Sequence, residues 1–404
     1  KRMRMTKIER NIADWFVDHL DTLAVAVLLA ACLLLRGLLF PLQSERTGEV
    51  LLPWFEQVRQ SGGLRGLGQP VDSLLMLQQT CMALLNLLPV KPLYVYKLFT
   101  VGFDYLAALA VFLLVRLALQ DARRPVGLYP QIAALLTLFA PPLVMDTVCL
   151  AQGDSLYAAL CLLTLLLLLK DKPLPAFILY GISLSFKLQS VFLLPFLLFL
   201  YLYKKSFSLL HFLAAPATVV VLALPNLLQG RGAAALWTQY AALVENNLQF
   251  TNGYRPFWYL PVRILDKPEL YALFKNPAIC TALLAVCVLF WAALQNQRSY
   301  TQKELVSLAF LSVYTVVFLL PCLHEGFDLL YYLLAIVLLV LDKKTALPFL
   351  LLTLLDMERY GSLMFAENNY LLAAVTINLG VYLWYLRRYA GALFRKAQNK
   401  EAAS

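Results

Sequence analysis

Apolar runs close to 20 residues long recur along the whole chain, and that is the length a helix needs to cross a hydrocarbon layer about 30 Å thick. With 61% of its 404 residues hydrophobic, against roughly 45–50% in soluble domains, the chain reads as an all-α polytopic membrane protein. Spans are expected at roughly 20–40, 93–116, 131–149, 155–170, 174–186, 189–203, 207–228, 277–295, 305–322, 327–341, 345–357 and 369–386, about twelve transmembrane helices in all. Only one polar segment is long enough to bury a core of its own, so residues 1–404 read as a single integral membrane domain.

Lys and Arg fall in every second loop. With Lys1, Arg2, Arg4, Lys7 and Arg10 placed in the cytoplasm, the same side receives Arg116, Arg123, Arg124, Lys170, Lys172, Lys204, Lys205, Arg298, Lys303, Lys343, Lys344 and the tail from Arg387 to Lys400. These loops are short, where the positive-inside rule has force, so both termini are expected in the cytoplasm of a plasma-membrane protein. Residues 1–19 then form a cytoplasmic segment and 387–404 a basic tail on anionic lipid. Headgroups account for the net charge of +10 without a nucleic-acid partner. The first span follows a basic segment and lacks a small-residue cleavage pattern, so it is expected to be a signal anchor.

The other face carries the polar sequence. Its first loop, 41–92, is the longest and contains two amphipathic stretches, Leu51 to Gln60 and Val71 to Leu88, whose apolar faces are expected along the membrane interface. A second outer segment, 229–276, mixes Trp237, Tyr240, Tyr254, Trp258 and Tyr259 with Asn246, Asn247, Asn252 and Arg255. The aromatics alone suit an interface belt; planar amides beside aromatic faces also suit a sugar.

The spans at 155–170, 174–186 and 189–203 are too short for the hydrocarbon layer. Lys170, Lys172, Lys204 and Lys205 pin their cytoplasmic ends, so the shortfall falls at the outer end, where Asp154, Lys187 and Gln189 sit. These residues are expected at the floor of an outward-open cavity, where ionisable groups are costly and by default functional. The plainer alternative is a Lys187 that snorkels outward and an Asp154 that caps its helix. His324 and Glu325 open a further outer loop after Pro321; His19 and His211 have no neighbour that suggests chemistry. The seven cysteines (Cys32, Cys81, Cys149, Cys161, Cys280, Cys287 and Cys322) sit singly in apolar sequence, as packing residues do, without the close pairs that metal sites need.

Phe40-Pro41, Pro53-Trp54-Phe55-Glu56, Gly62-Gly63, Lys97, Phe103-Asp104, Gln152-Gly153-Asp154-Ser155-Leu156-Tyr157, Ser185-Phe186-Lys187-Leu188-Gln189 and His324-Glu325 follow one another along the chain. Together these segments resemble the GT-C membrane glycosyltransferases, and in particular bacterial relatives of the GPI-anchor mannosyltransferases. The resemblance implies transfer of a mannose-like hexose, with inversion, from a polyprenyl-phosphate donor to a glycan, lipid or protein acceptor at the outer face. It implies that Gln152 and Asp154 form an acidic motif, that Lys187 faces the carrier phosphate, and that His324 and Glu325 stand where relatives carry His-Glu-Arg-Tyr. Gly326 and Phe327 replace that Arg and Tyr here. The catalytic Asp expected before Pro53-Trp54 falls on Arg46, with Glu45 and Glu49 as the nearby acids. Val71-Asp72-Ser73-Leu74-Leu75 replaces a Tyr- and Pro-rich motif.

An active transferase needs a base for the attacking hydroxyl and cations for the leaving phosphate. Glu49 or Glu45 is the expected base and Asp154 the second acid. Gln152, Lys187, Gln189, Arg255, His324, Glu325 and Arg46 are the expected donor-binding set. A divalent cation, Mg or Mn, is the cofactor that Glu49 and Asp154 together would admit. Two other readings fit the same residues: a noncatalytic relative that binds polyprenyl-linked lipid or scaffolds a partner, and a transporter of lipid-linked sugar. Inverted repeats, the mark of a transporter, are not detectable.

Overall fold

The structure, a computed structural model, describes residues 6–45, 47–245, 257–261, 270–296, 298–321, 323, 326–365 and 371–391. Among these residues the regular structure is helical and no strand forms. In chain order the α-helices are α1 (Lys7–Asp18), α2 (Leu20–Leu39), α3 (Leu52–Gln60), α4 (Met76–Leu85), α5 (Pro92–Asp121), α6 (Tyr129–Leu138), α7 (Pro141–Val144), α8 (Ser155–Leu169), α9 (Pro173–Phe186), α10 (Leu194–Lys204), α11 (Ala214–Leu228), α12 (Ala235–Glu245), α13 (Leu270–Gln295), α14 (Gln302–Leu319), α15 (Leu329–Leu341), α16 (Ala346–Phe365) and α17 (Leu371–Tyr385).

A helix occupies every segment expected to span, but not all are long. Among the described residues, five helical stretches have the length and apolarity to cross a membrane: Leu20–Leu39, Pro92–Asp121, Leu209–Leu228, Leu273–Gln295 and Gln302–Leu319. A sixth forms if Tyr129–Leu138 and Pro141–Cys149, bent by 44° at their junction, count together. The Pro141-Pro142 pair explains the bend, since proline removes backbone donors and clashes with the preceding turn. The expected count of about twelve therefore depends on shorter helices also crossing. At roughly 1.5 Å per residue, α8 with its 15 residues and α9 with its 14 fall short of the hydrocarbon thickness, as the sequence suggests.

Helices that are apolar on all sides are either lipid-facing or central, and burial separates the two. Only 11% of the α2 window is buried against 78% in α14. Helices α5, α8, α14 and α15 form the middle of the bundle, with α15 packed against α5, α8 and α14 and nearly all of its side chains buried. Helix α1 starts from a Thr6–Glu9 capping box and buries no residue, while Ile8, Ile12, Trp15 and Phe16 stay exposed, the pattern of a helix lying on a membrane surface.

The two amphipathic stretches of the first loop become α3 and α4, and their buried residues pack together. They cover each other. Phe55 and Val58 of α3 meet Leu67, Val71, Leu74 and the α4 residues Met82 and Ala83 in a small separate core. Two amphipathic faces brought together by a turn bury more apolar area against each other than either would alone. Hydrogen bonds then tie this unit down: Gln78 donates to the Phe186 carbonyl at 2.8 Å, Asn226 to Leu67 at 3.2 Å, and Arg231 to Gln79 at 2.8 Å.

Candidate active site

Beneath the α3–α4 unit lies a cavity of about 750 Å³. One end of α8 and the α9–α10 junction form its polar wall. Helix α9 stops at Phe186, and the serines Ser183, Ser185 and Ser190 then draw the chain around a corner through local hydroxyl bonds, Ser190 Oγ to the Lys187 carbonyl at 2.9 Å among them. The corner leaves Lys187 in extended backbone, facing the start of α8.

There the Lys187 ammonium makes an ion pair with Asp154 and donates to the Gln152 carbonyl at 3.1 Å. Asp154 is the N-cap residue of α8, yet its side chain makes no capping bond. The carboxylate is committed to Lys187 instead, which removes the plainer reading of a helix cap and a snorkelling lysine. Both groups are largely buried, with 4% of the Asp154 and 16% of the Lys187 side chain exposed. Taking two such charges out of water costs several kcal/mol each, by order of magnitude. Gln152 and Gln189 line the same cavity.

The loop carrying Asp154 is held by a residue that the sequence does not single out. Asp146, fully buried, accepts the Asp154 backbone N–H at 2.8 Å, and its own carbonyl accepts from Gln152 N at 2.9 Å. To close this turn, Ala151 and Gly153 take left-handed backbone angles, φ 52° and 69°. On the opposite side Gly326, at φ 83°, lies against the Asp154 carboxylate: a Cβ there would fall 1.8 Å from Oδ2. The glycine that replaces the arginine of the resembling motif is thus the residue that lets the chain pass Asp154. Tyr157 Oη donates to the carbonyls of Gly326 and Phe327 at 3.2 and 3.3 Å, which fixes that segment to α8.

Lys97 and Asp104, both from motif segments, serve the scaffold. Lys97 donates to the Phe40 carbonyl at 2.9 Å and also to that of Leu42, in the segment that follows the end of α2. Asp104 accepts from Arg36 of α2 at 3.1 Å and from Thr147 Oγ1 at 2.8 Å. Together they set where the first loop leaves the bundle. Thr47 continues the attachment through its hydroxyl, which donates to the Leu150 carbonyl at 3.1 Å.

The expected base pair does not reach the cavity. Thr47, Val50 and Leu51 of the turn Thr47–Leu51 line it, whereas Glu49 on the same turn and Glu45 before it are exposed and stand outside the wall. Asp154 already serves Lys187, and among the described residues no group of three or more His, Cys, Asp or Glu could hold a metal ion. Arg46, Arg255, His324 and Glu325 lie outside the described residues, as do Asn246, Asn247, Asn252 and Tyr254; their neighbours Leu323 and Phe327 line the cavity. Two wall residues were missed: Asp72, whose carboxylate accepts from Trp54 Nε1 at 2.8 Å, and Lys275 of α13. Asp72 is exposed toward solvent and holds φ 38°, a backbone region uncommon outside glycine. That strain has no signature in composition or periodicity.

Among the described residues, the helical bundle holds a cavity that joins a buried Lys–Asp pair to an apolar wall. The family model for glycosyltransferase family 87 matches residues 80–322, more than half of the chain, and the chain belongs to that family. It is thus a membrane glycosyltransferase of the GT-C type. The matched stretch contains the Gln152–Gln189 region and Lys97 to Asp104, and begins after Asp72. No curated protein matches the chain.

Proposed function

We propose that the cavity transfers a mannose-like hexose from a polyprenyl-phosphate donor to an acceptor hydroxyl, with inversion. The observation that carries this reading is the single cavity wall that sets the Asp154–Lys187 pair beside Cys81, Met82, Phe99 and Ile279. A charged headgroup on a long apolar chain fits that juxtaposition, and a water-soluble nucleotide sugar does not. Basic residues gather at the far ends of the same helices, which supports an extracytoplasmic cavity with both termini in the cytoplasm. The resemblance of the motif segments to bacterial relatives of the GPI-anchor mannosyltransferases supports mannose as the first sugar to try.

In the proposed reaction Lys187, fixed by Asp154, holds the donor phosphate, and Lys275 adds charge from α13. Asp72 is the base in place of Glu49 or Glu45. Of the two carboxylates in the described wall, Asp154 is committed to Lys187, while Asp72 is open and oriented by Trp54. The acceptor hydroxyl gives its proton to Asp72 as its oxygen bonds to the anomeric carbon. The bond from that carbon to the phosphate oxygen breaks on the opposite face, and polyprenyl phosphate leaves with its negative charge on Lys187. No step passes through a metal.

The test incubates the purified protein in lipid with radiolabelled polyprenyl-phosphate mannose or glucose, with and without EDTA, and follows release of sugar from the carrier. Turnover above a boiled control supports transfer. Saturable binding without turnover moves the assignment to a noncatalytic lipid-binding relative. Within an active preparation, Asp72→Asn should lower kcat by about 10²- to 10⁴-fold, the usual contribution of a general base. An unchanged kcat would remove Asp72 from that role.

A further inference from the structure

A second cavity, of about 600 Å³, lies at the other ends of the same helices. Helix α10 begins near the first cavity and ends in Lys204 at the second. Helix α14 runs in the opposite sense, from Gln302 at the second cavity toward Leu320 at the first. The wall of the second cavity carries Lys204, Lys205 and Arg298 against one carboxylate, Asp171.

Part of that charge is already used. Lys204 bonds Asp171 at 2.9 Å and the Leu168 and Leu169 carbonyls at 2.9 and 3.3 Å, closing the end of α8. Arg298 gives Nη2 to Glu304 at 2.7 Å and stacks over the Tyr300 ring at 4.9 Å. Those contacts fix the guanidinium, yet its buried Nε–H finds no acceptor among the described residues. A buried donor left unpaired is destabilising.

Lys205 makes no ion pair with any other described residue, is exposed, and holds φ 51° and ψ 21° as the residue that ends α10. Glycine normally takes this left-handed position without strain, so a lysine here is kept at a cost. A third wall residue, Gln302, has a buried Oε1 acceptor without a donor among the described residues. Arg298 and Lys205 on this wall suit an anion, and the Gln302 amide on the same wall suits a hydroxyl carried by the same ligand; a phosphate ester of a polyol offers both.

We propose that this second cavity binds the phosphate ester of a polyol, either the headgroup of an anionic glycerophospholipid or a soluble polyol phosphate. The site is separate from the transfer cavity and independent of the sugar-transfer reading. Phosphate at this end of the bundle meets the same cluster of positive charge that anionic leaflets attract.

The experiment uses the full chain in neutral detergent and measures binding of phosphatidylglycerol, phosphatidylcholine, glycerol 3-phosphate and inorganic phosphate by native mass spectrometry and by shift of thermal midpoint. It compares the wild type with Lys205→Gly/Arg298→Gln and with Lys343→Gln/Lys344→Gln, which removes two lysines outside the cavity. Lys205→Gly relieves backbone strain and should keep the fold, which the midpoint without ligand checks. The expected result is saturable binding of phosphatidylglycerol or glycerol 3-phosphate, weakened about tenfold or more by the cavity double variant, a change of ~1.4 kcal/mol. The control variant should be unaffected. Phosphatidylglycerol without glycerol 3-phosphate identifies a lipid source, and comparable binding of both a soluble one. The proposal is overturned if neither binds saturably, if phosphatidylcholine or inorganic phosphate binds equally well, or if the control variant weakens binding as much as the cavity variant.

Discussion

Each cavity is built around one lysine–aspartate pair, and the partners in both pairs are 33 residues apart in sequence. Asp154 stands at the start of α8 with Lys187 just past α9; Asp171 follows the end of α8 and Lys204 ends α10. The chemistry is the same and the burial is not. Asp154 is 4% exposed and Asp171 63%. A pair with one partner in water is worth about 0–1 kcal/mol and is explained by capping a helix end. A buried pair seldom stabilises a fold more than apolar residues of the same size would. Its presence in the first cavity is better explained by the anionic group it is proposed to receive than by folding.

The largest effect that can break this comparison comes from removing both charges of a pair at once, which avoids stranding one buried ion. Asp154→Asn/Lys187→Gln should fold, as judged by thermal midpoint and elution from size exclusion, and should lose transfer by about 10²-fold or more. Asp171→Asn/Lys204→Gln should retain transfer within about twofold, the margin a pair worth under ~1 kcal/mol leaves. If both double variants transfer alike, burial does not distinguish the two ends functionally.

A smaller loss is expected at Gly326. Alanine there meets both a left-handed backbone and a Cβ position 1.8 Å from Asp154 Oδ2, so Gly326→Ala should displace the carboxylate from Lys187. Alanine in a left-handed site costs about 1 kcal/mol or more of stability, and kcat should fall about tenfold if Asp154 moves. Gly230, also left-handed at φ 96° but with open space around its Cβ position, is the control: Gly230→Ala should show the stability cost without the loss of rate. Equal rate losses at the two glycines would mean that backbone strain, not the Asp154 contact, is what transfer senses.

These contrasts also mark where the sequence was readable. Asp154, Lys187, Gln152 and Gln189 were legible because three consecutive helices are too short and their basic ends are pinned, so the deficit had to appear at the other end. The family-like stretch from Gln152 to Gln189 covers the same residues. The proposed base, Asp72, was not legible. The family resemblance put the acid at Arg46, beside Glu45 and Glu49, but in a π-helical turn the face that meets the cavity passes through Thr47, Val50 and Leu51. Asp72 is brought in by the α3–α4 pairing and held by Trp54, 18 residues earlier. Span number was less legible than span position, because helices such as α15, with 13 residues, are apolar through burial in protein as much as through contact with lipid. The Gly326 departure from the resembling motif looked like a loss and is a steric fit to Asp154.

Trp54 allows a finer cut within the first cavity. Trp54→Phe keeps the ring in the small α3–α4 core and deletes only the N–H that orients Asp72. One hydrogen bond to a charged group is worth about 1.5–3 kcal/mol, and part of that should appear as a fall in kcat of roughly five- to tenfold with KM nearly unchanged. A change confined to KM would instead make Trp54 and Asp72 part of acceptor binding.

The smallest expected effect lies at the basic end, at Asp342, which closes α15 and receives Arg388 Nε and Nη2 at 3.1 and 2.9 Å. Burial pushes its carboxyl up, but hydrogen bonds from Arg388, the charge of Lys303 and the Lys344 N–H outweigh it, and the net shift is below the usual value of 3.8. A carboxyl whose folded-state pKa is depressed adds stability above its unfolded pKa, and that contribution disappears as pH falls through the folded value. Asp342→Asn should therefore be less stable than the wild type at pH 7, by about 1 kcal/mol or less because Arg388 is partly exposed. The gap should close as the pH drops below about 4. Transfer activity at pH 7 should not change, since Asp342 and the Asp154–Lys187 pair stand at opposite ends of the bundle. A stability gap that persists unchanged in acid would assign the effect of Asp342 to its Lys344 and Thr345 backbone contacts instead of its charge.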